Sequence, residues 1–193
     1  MFKISLYKPD FIIDCANLLD YSHVYREFRD HGVTKAYVYA MGHRTGPFTY
    51  DFLKVGLSHP NLKDREYQVG ERVCRQVSHL PGWISPTISD HGNDFYRGIK
   101  RLQTAQKLPE TFDKNNLVVG VWDISKRLHL IQAIKLDKEI QATEWAEGEL
   151  CQQYKQFHGD KPKLNYRDPS NSKSYKKGYT LVSVASLFDG LYD

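Results

Sequence analysis

Several charged residues in this sequence fall where a charge needs explaining. Lys54 interrupts an otherwise apolar strand-like run, Leu53-Lys54-Val55, so its ammonium must face either solvent or a polar site. Glu147 lies in a helical stretch with Thr143, Leu150, Cys151 and Tyr154 as its three-and-four neighbours. Its carboxylate therefore emerges beside the apolar stripe, where it can point into a cleft or interact with a nearby lysine. Arg65, Arg72 and Arg75 gather beside Val69, Val73 and Val77, which recur at helical spacing. From Lys155 to Lys177 the chain carries Lys155, Lys161, Lys163, Arg167, Lys173, Lys176 and Lys177 against Asp160 and Asp168, with Tyr154, Phe157, Tyr166 and Tyr175 interleaved. That mixture suits a phosphate track with aromatic contacts to sugars or bases, and points to nucleic acid as the partner.

The elements that must position these side chains can be read around them. Tyr37 and Tyr39 alternate with Val38 and Ala40, Gly42, Gly46 and Pro47 break the run, and Phe52 to Val55 forms a second, implying two antiparallel strands. After Gly56 the chain turns through Ser58, His59, Pro60 and Asn61 into the arginine helix. Leu117-Val118-Val119-Gly120-Val121-Trp122 is a dense apolar run, expected to be a central strand buried on both faces. A helix is expected from Asp137 to about Phe157, given Ile140, Ala146, Leu150 and Tyr154 among abundant Glu, Gln and Lys. On it, Glu149 has Gln152 and Gln153 beneath it, and Glu144, with Gln141 and Gly148 around it, reads as solvated. Asp94 can cap a helix bearing Phe95, Ile99 and Leu102, whose outer Arg97, Lys100 and Arg101 form either a phosphate-binding surface or a solvated face. Leu128 to Leu136 alternates only in part, and its type stays open.

Together these elements give an α/β (α+β) domain, a small and mainly antiparallel three-stranded sheet flanked by helices. It is expected over residues 34–167. Residues 1–33, with Phe11, Ile12, Cys15, Ala16, Leu19, Val24, Tyr25 and Phe28 in a loose helical stripe, read as a helical packing extension. Residues 168–193 read as a C-terminal segment packing on the domain, with Ser170-Asn171-Ser172 as a flexible loop. At 193 residues and 40% hydrophobic content the chain can form an ordinary core, and its net charge of +4 permits a polyanionic partner without demanding one. Cys15, Cys74 and Cys151 are odd in number and never form a CxxC pair, arguing against a zinc site or disulfide framework and for a reducing compartment. Asp10 and Asp14 interrupt the Phe11 to Leu19 run, so neither a signal peptide nor a membrane span is expected, and the cytoplasm is the default location.

Tyr37-Val38-Tyr39, then Leu53-Lys54-Val55-Gly56 and an arginine helix, resembles the core of the GIY-YIG nuclease family in the variant whose second motif reads KIG. Glu147-Gly148-Glu149-Leu150 and Pro162-Lys163-Leu164-Asn165 are similar to that family's closing signature. The resemblance implies a metal-dependent endonuclease acting on DNA. In it Glu147 would hold one divalent ion, Mg²⁺ or Mn²⁺, and Tyr39 would orient or deprotonate the attacking water. A tyrosine ionises near about 10, so it serves as a base only if a cation lowers that value, and Lys54 is the candidate cation. Arg72 would clamp the non-bridging phosphate oxygens, and Asn165 would brace the site through hydrogen bonds. Ungapped counting from Lys54 places the family arginine on Arg65, whereas the arginine-hydrophobic helix start selects Arg72, which is preferred. Arg65, Arg75, Lys155, Lys161, Lys163 and Arg167 would line the DNA. Gln76 stands where some members carry a histidine, and Tyr37 where the family name has glycine. Cutting both strands together would need two single-metal sites, which a homodimer would supply. The alternatives are a binding module on the same fold that does not cleave, and a protein-interaction domain in which the tyrosines are core.

Overall fold

The run Leu117–Asp123 is buried at every position, as a strand covered on both faces must be. In the computed structural model, which describes residues 9–14, 21–46, 49–59, 68–78, 117–127, 139–163, 165, 167–173 and 175, this run is the fourth strand, β4. It lies inside a four-stranded sheet of order β1-β4-β2-β3, with β1 Phe11–Asp14, β2 Tyr37–Gly46 and β3 Thr49–Ser58. All three pairings are antiparallel. The mixed class and antiparallel sheet are as expected, with one more strand than the sequence suggested. The extra strand is β1, where Phe11 and Ile13 point inward while Ile12 and Asp14 point out. Phe11 and Ile12 thus belong to a short edge strand rather than to a helical stripe. The helix of that region, α1, spans Tyr21–Asp30.

β2 and β3 run on past the expected break. Gly42 and Gly46 mark register shifts, between Met41 and Gly42 and between Arg44 and Gly46, so these glycines accommodate bulges instead of ending the strand. One face of the sheet presents Phe11, Ile13, Tyr37, Tyr39, Met41, Leu117, Val119 and Val121 to Val24 and Phe28 of α1 and to Val73 and Cys74 of α2 (Glu71–Ser78). The other presents Val38, Ala40, Val55 and Trp122 to α3 (Glu139–His158), through Ala142, Trp145, Ala146, Leu150 and Tyr154. Cys74 and Cys151 are free and buried. Among the described residues no helix is long and apolar enough to cross a membrane. The basic helix expected after Asp94 and the ambiguous stretch Leu128 to Leu136 lie outside the described residues.

Candidate functional site

The outer strand β3 organises the site. Lys54 stands opposite Met41 and Gly56 opposite Tyr39, and directly opposed residues of an antiparallel pair share a face. Tyr39 and Lys54 are therefore on the same side of the sheet, the side covered by α1 and α2. The register shift at Met41 and Gly42 carries Gly42 onto Phe52, leaving Leu53 as the extra residue next to Lys54. Lys54 Nζ donates to Gln76 Oε1 of α2 at 2.8 Å, a polar site rather than open solvent. Tyr39 is 2% exposed and its ring lies over Gly56. A Cβ at position 56 would sit 2.5 Å from both Cζ and Oη of that ring, so only glycine allows the tyrosine to lie there.

Asn165 fastens the strand from outside. Its Oδ1 accepts the Val55 N–H at 2.8 Å, and its Nδ2 donates to the Val55 carbonyl at 2.9 Å. A buried side-chain amide thus takes the place of a further strand at the edge, between Lys54 and Gly56, and satisfies backbone groups that would otherwise lack partners.

The third contribution comes from α3. Glu147 is partly buried, and its carboxyl is pushed up to about 8, first by burial and next by the Glu144 charge, with Lys54 and Arg72 pulling it back. Charges from β3, α2 and α3 therefore act on one carboxyl. His59, buried just past the end of β3, belongs to the same group: burial lowers its pKa, Glu144 opposes the fall and Arg72 adds to it. Glu144, expected to be solvated, is instead partly buried and faces Glu147 and His59. Its position three residues before Glu147 was the available signal, since that spacing puts both carboxylates on one helix face. His59 and Gln76 carried no comparable signal, because their neighbours are distant in sequence.

Arg72 thus lies within electrostatic reach of Glu147, and Arg65 lies outside the described residues. Arg75 is engaged by Glu71, with Nη2 at 2.6 Å and Nε at 3.1 Å from one carboxylate oxygen. Lys155 donates to Asp168 Oδ2 at 2.7 Å and to Ser170 Oγ at 3.3 Å. Lys161 is partly buried, and Lys163 and Arg167 are exposed. Tyr154 and Tyr175, expected as aromatic contacts to nucleic acid, are instead buried at 3% and 5% exposure. Tyr175 donates to Glu149 Oε2 at 3.0 Å and Gln153 donates to Oε1 at 3.0 Å, so Glu149 is buried among polar partners. Ser170 and Asn171, read as flexible loop, form a 3₁₀ turn over Pro169–Asn171 capped by Asp168.

A divalent cation fits the donors present. Glu144 and Glu147 are hard oxygen donors close enough to raise the Glu147 pKa, and a cation would relieve that repulsion. No group of three or more His, Cys, Asp or Glu side chains among the described residues could hold an ion. A cation here would therefore complete its coordination with water and phosphate oxygens, as Mg²⁺ commonly does. No family model matches the chain, and no curated protein or solved structure does.

Proposed function

We propose that this protein is a metal-dependent endonuclease that hydrolyses DNA phosphodiester bonds through a GIY-YIG-like site. The observation that carries the reading is the common surroundings of Lys54, Arg72 and Glu147, brought from a strand and two helices, with Tyr39 on the same sheet face as Lys54. Four motifs scattered from residue 37 to residue 165 thereby lead to one edge of one strand.

Hydrolysis of a phosphodiester needs an oriented water, stabilisation of charge at phosphorus and help for the leaving oxygen. In this assignment Arg72 clamps the non-bridging oxygens with its planar fork of donors. Lys54 supplies positive charge on the face that carries Tyr39, whose hydroxyl orients the attacking water and accepts its proton. Glu147, with Glu144 beside it, holds Mg²⁺ or Mn²⁺, which when bound polarises the phosphoryl oxygens and stabilises the leaving group. Asn165 keeps Val55, and hence the strand carrying Lys54, at a fixed height. Exposed Lys163 and Arg167 extend the positive surface toward the phosphate backbone.

Incubation with supercoiled and single-stranded DNA in Mg²⁺, Mn²⁺ or chelator tests the proposal. Nicking or linearisation that requires the divalent ion is expected. Salt-sensitive binding that is unaffected by the ion, without strand breaks at any divalent concentration, would replace the proposal by a binding module that does not cleave.

A further inference from the structure

The geometry points to Gln76 as a positioning residue that holds the Lys54 ammonium in place with its charge intact, a role that rests on the nuclease reading only for its effect on catalysis. A lysine carries a flexible four-carbon stem, and its ammonium stays in one position only if an acceptor holds it. Lys54 stands in an outer strand beside a bulge residue, within reach of the charge on Glu147. Two kinds of acceptor compete there. If the ammonium moved onto the carboxylate it would form an ion pair, spending the positive charge and occupying the oxygens assigned to the cation. Gln76 offers a neutral alternative on α2, with Oε1 2.8 Å from Nζ in a partly buried setting.

An amide oxygen accepts a hydrogen bond without neutralising the donor, so Lys54 held this way still presents a full positive charge to phosphate. Gln76 lies four residues after Arg72 on the same helix, so one helix face carries both the phosphate clamp and the residue that holds the lysine. A shift in α2 would then move Arg72 and Lys54 together.

The test compares the full-length parent with Gln76→Met, which keeps the length but removes the acceptor, and with Gln76→Glu, which keeps an acceptor but adds a neutralising charge. The first readout is the ¹⁵Nζ ammonium resonance of Lys54, in chelator and without DNA. In the parent and in Gln76→Glu its protons are expected to exchange slowly with water. In Gln76→Met exchange is expected to quicken at least about tenfold, with Tm unchanged within about 2 °C. Slow exchange retained in Gln76→Met would overturn the inference, because another group would then be the holder. The second readout is cleavage: kcat is expected to fall about 10–100-fold in Gln76→Met with KM within about twofold, the scale of a misplaced catalytic group. Unchanged kcat in a cleaving protein would also overturn the inference, whereas absence of cleavage in the parent would sink the nuclease reading and leave the exchange measurement to decide on Gln76.

Discussion

The two ends of α3 treat their charged groups in opposite ways. At the C-terminal end Asp168 accepts from Lys155 at 2.7 Å, from Ser170 N and Oγ at 3.0 and 2.6 Å, and from Asn171 at 3.1 Å. Burial opposes its ionisation, but these donors outweigh burial, and its pKa is lowered. The same aspartate pushes the Cys151 thiol up to about 12, adding to burial, so that thiol is inert. In the N-terminal half, Glu147 has a like charge as its strongest electrostatic neighbour, and its pKa is raised to about 8. One end is a saturated network that stabilises the fold. The other holds a carboxyl that folding makes harder to ionise, which is characteristic of groups kept for binding or chemistry.

Breaking the saturated end is expected to have the largest effect on stability. Asp168→Ala removes the cap of the 3₁₀ turn and the partner of Lys155 together, and should lower stability by about 2–4 kcal/mol in urea denaturation at pH 7. Because the folded pKa lies below the ordinary value of 3.8, the contribution of Asp168 is complete above that pH and is lost as pH falls through the lowered pKa. The gap between variant and parent should therefore close in acid, and a gap unchanged at pH 2.5 would remove charge from the explanation.

A smaller effect of opposite sign is expected at the other end. Between pH 4.5 and about 8 the folded state holds a proton on Glu147 that the unfolded chain has released, so stability falls as pH rises through that window. Glu147→Gln abolishes this loss, and should exceed the parent by about 1–2 kcal/mol at pH 8.5 while matching it near pH 4.5. Mg²⁺ should narrow the difference at pH 8.5 by stabilising the ionised parent. A variant less stable than the parent at both pH values would mean that Glu147 serves packing, like Glu149.

The contrast between the ends also marks what could be read from sequence. Leu117 to Trp122 was legible as an internal strand because burial on both faces demands an unbroken apolar run. Glu147 was legible as a cleft residue because its helical neighbours fix its direction. Phe11–Asp14 was not legible as a strand, since four residues with two inward side chains fit a helical stripe equally well. The buried state of Glu149 depends in part on Tyr175, 26 residues further on, and no local pattern records such a pairing. Tyr154 and Tyr175 were misread for the same reason, because interleaving with lysines describes composition and not direction. The Lys54–Gln76 and Val55–Asn165 bonds join positions 22 and 110 residues apart, so the details of the site emerge only from tertiary structure.

The central claim is that the mismatched end of α3 cuts DNA, and the most direct test sets Glu147→Gln against the parent. Both would be assayed for cleavage of supercoiled DNA in Mg²⁺ and for DNA binding in chelator, at one fixed salt concentration. The account predicts at least about a thousandfold loss of cleavage in the variant, with affinity unchanged or tighter because a negative charge has left a phosphate-binding surface. A Glu147→Gln protein that cleaves at the parental rate would contradict it.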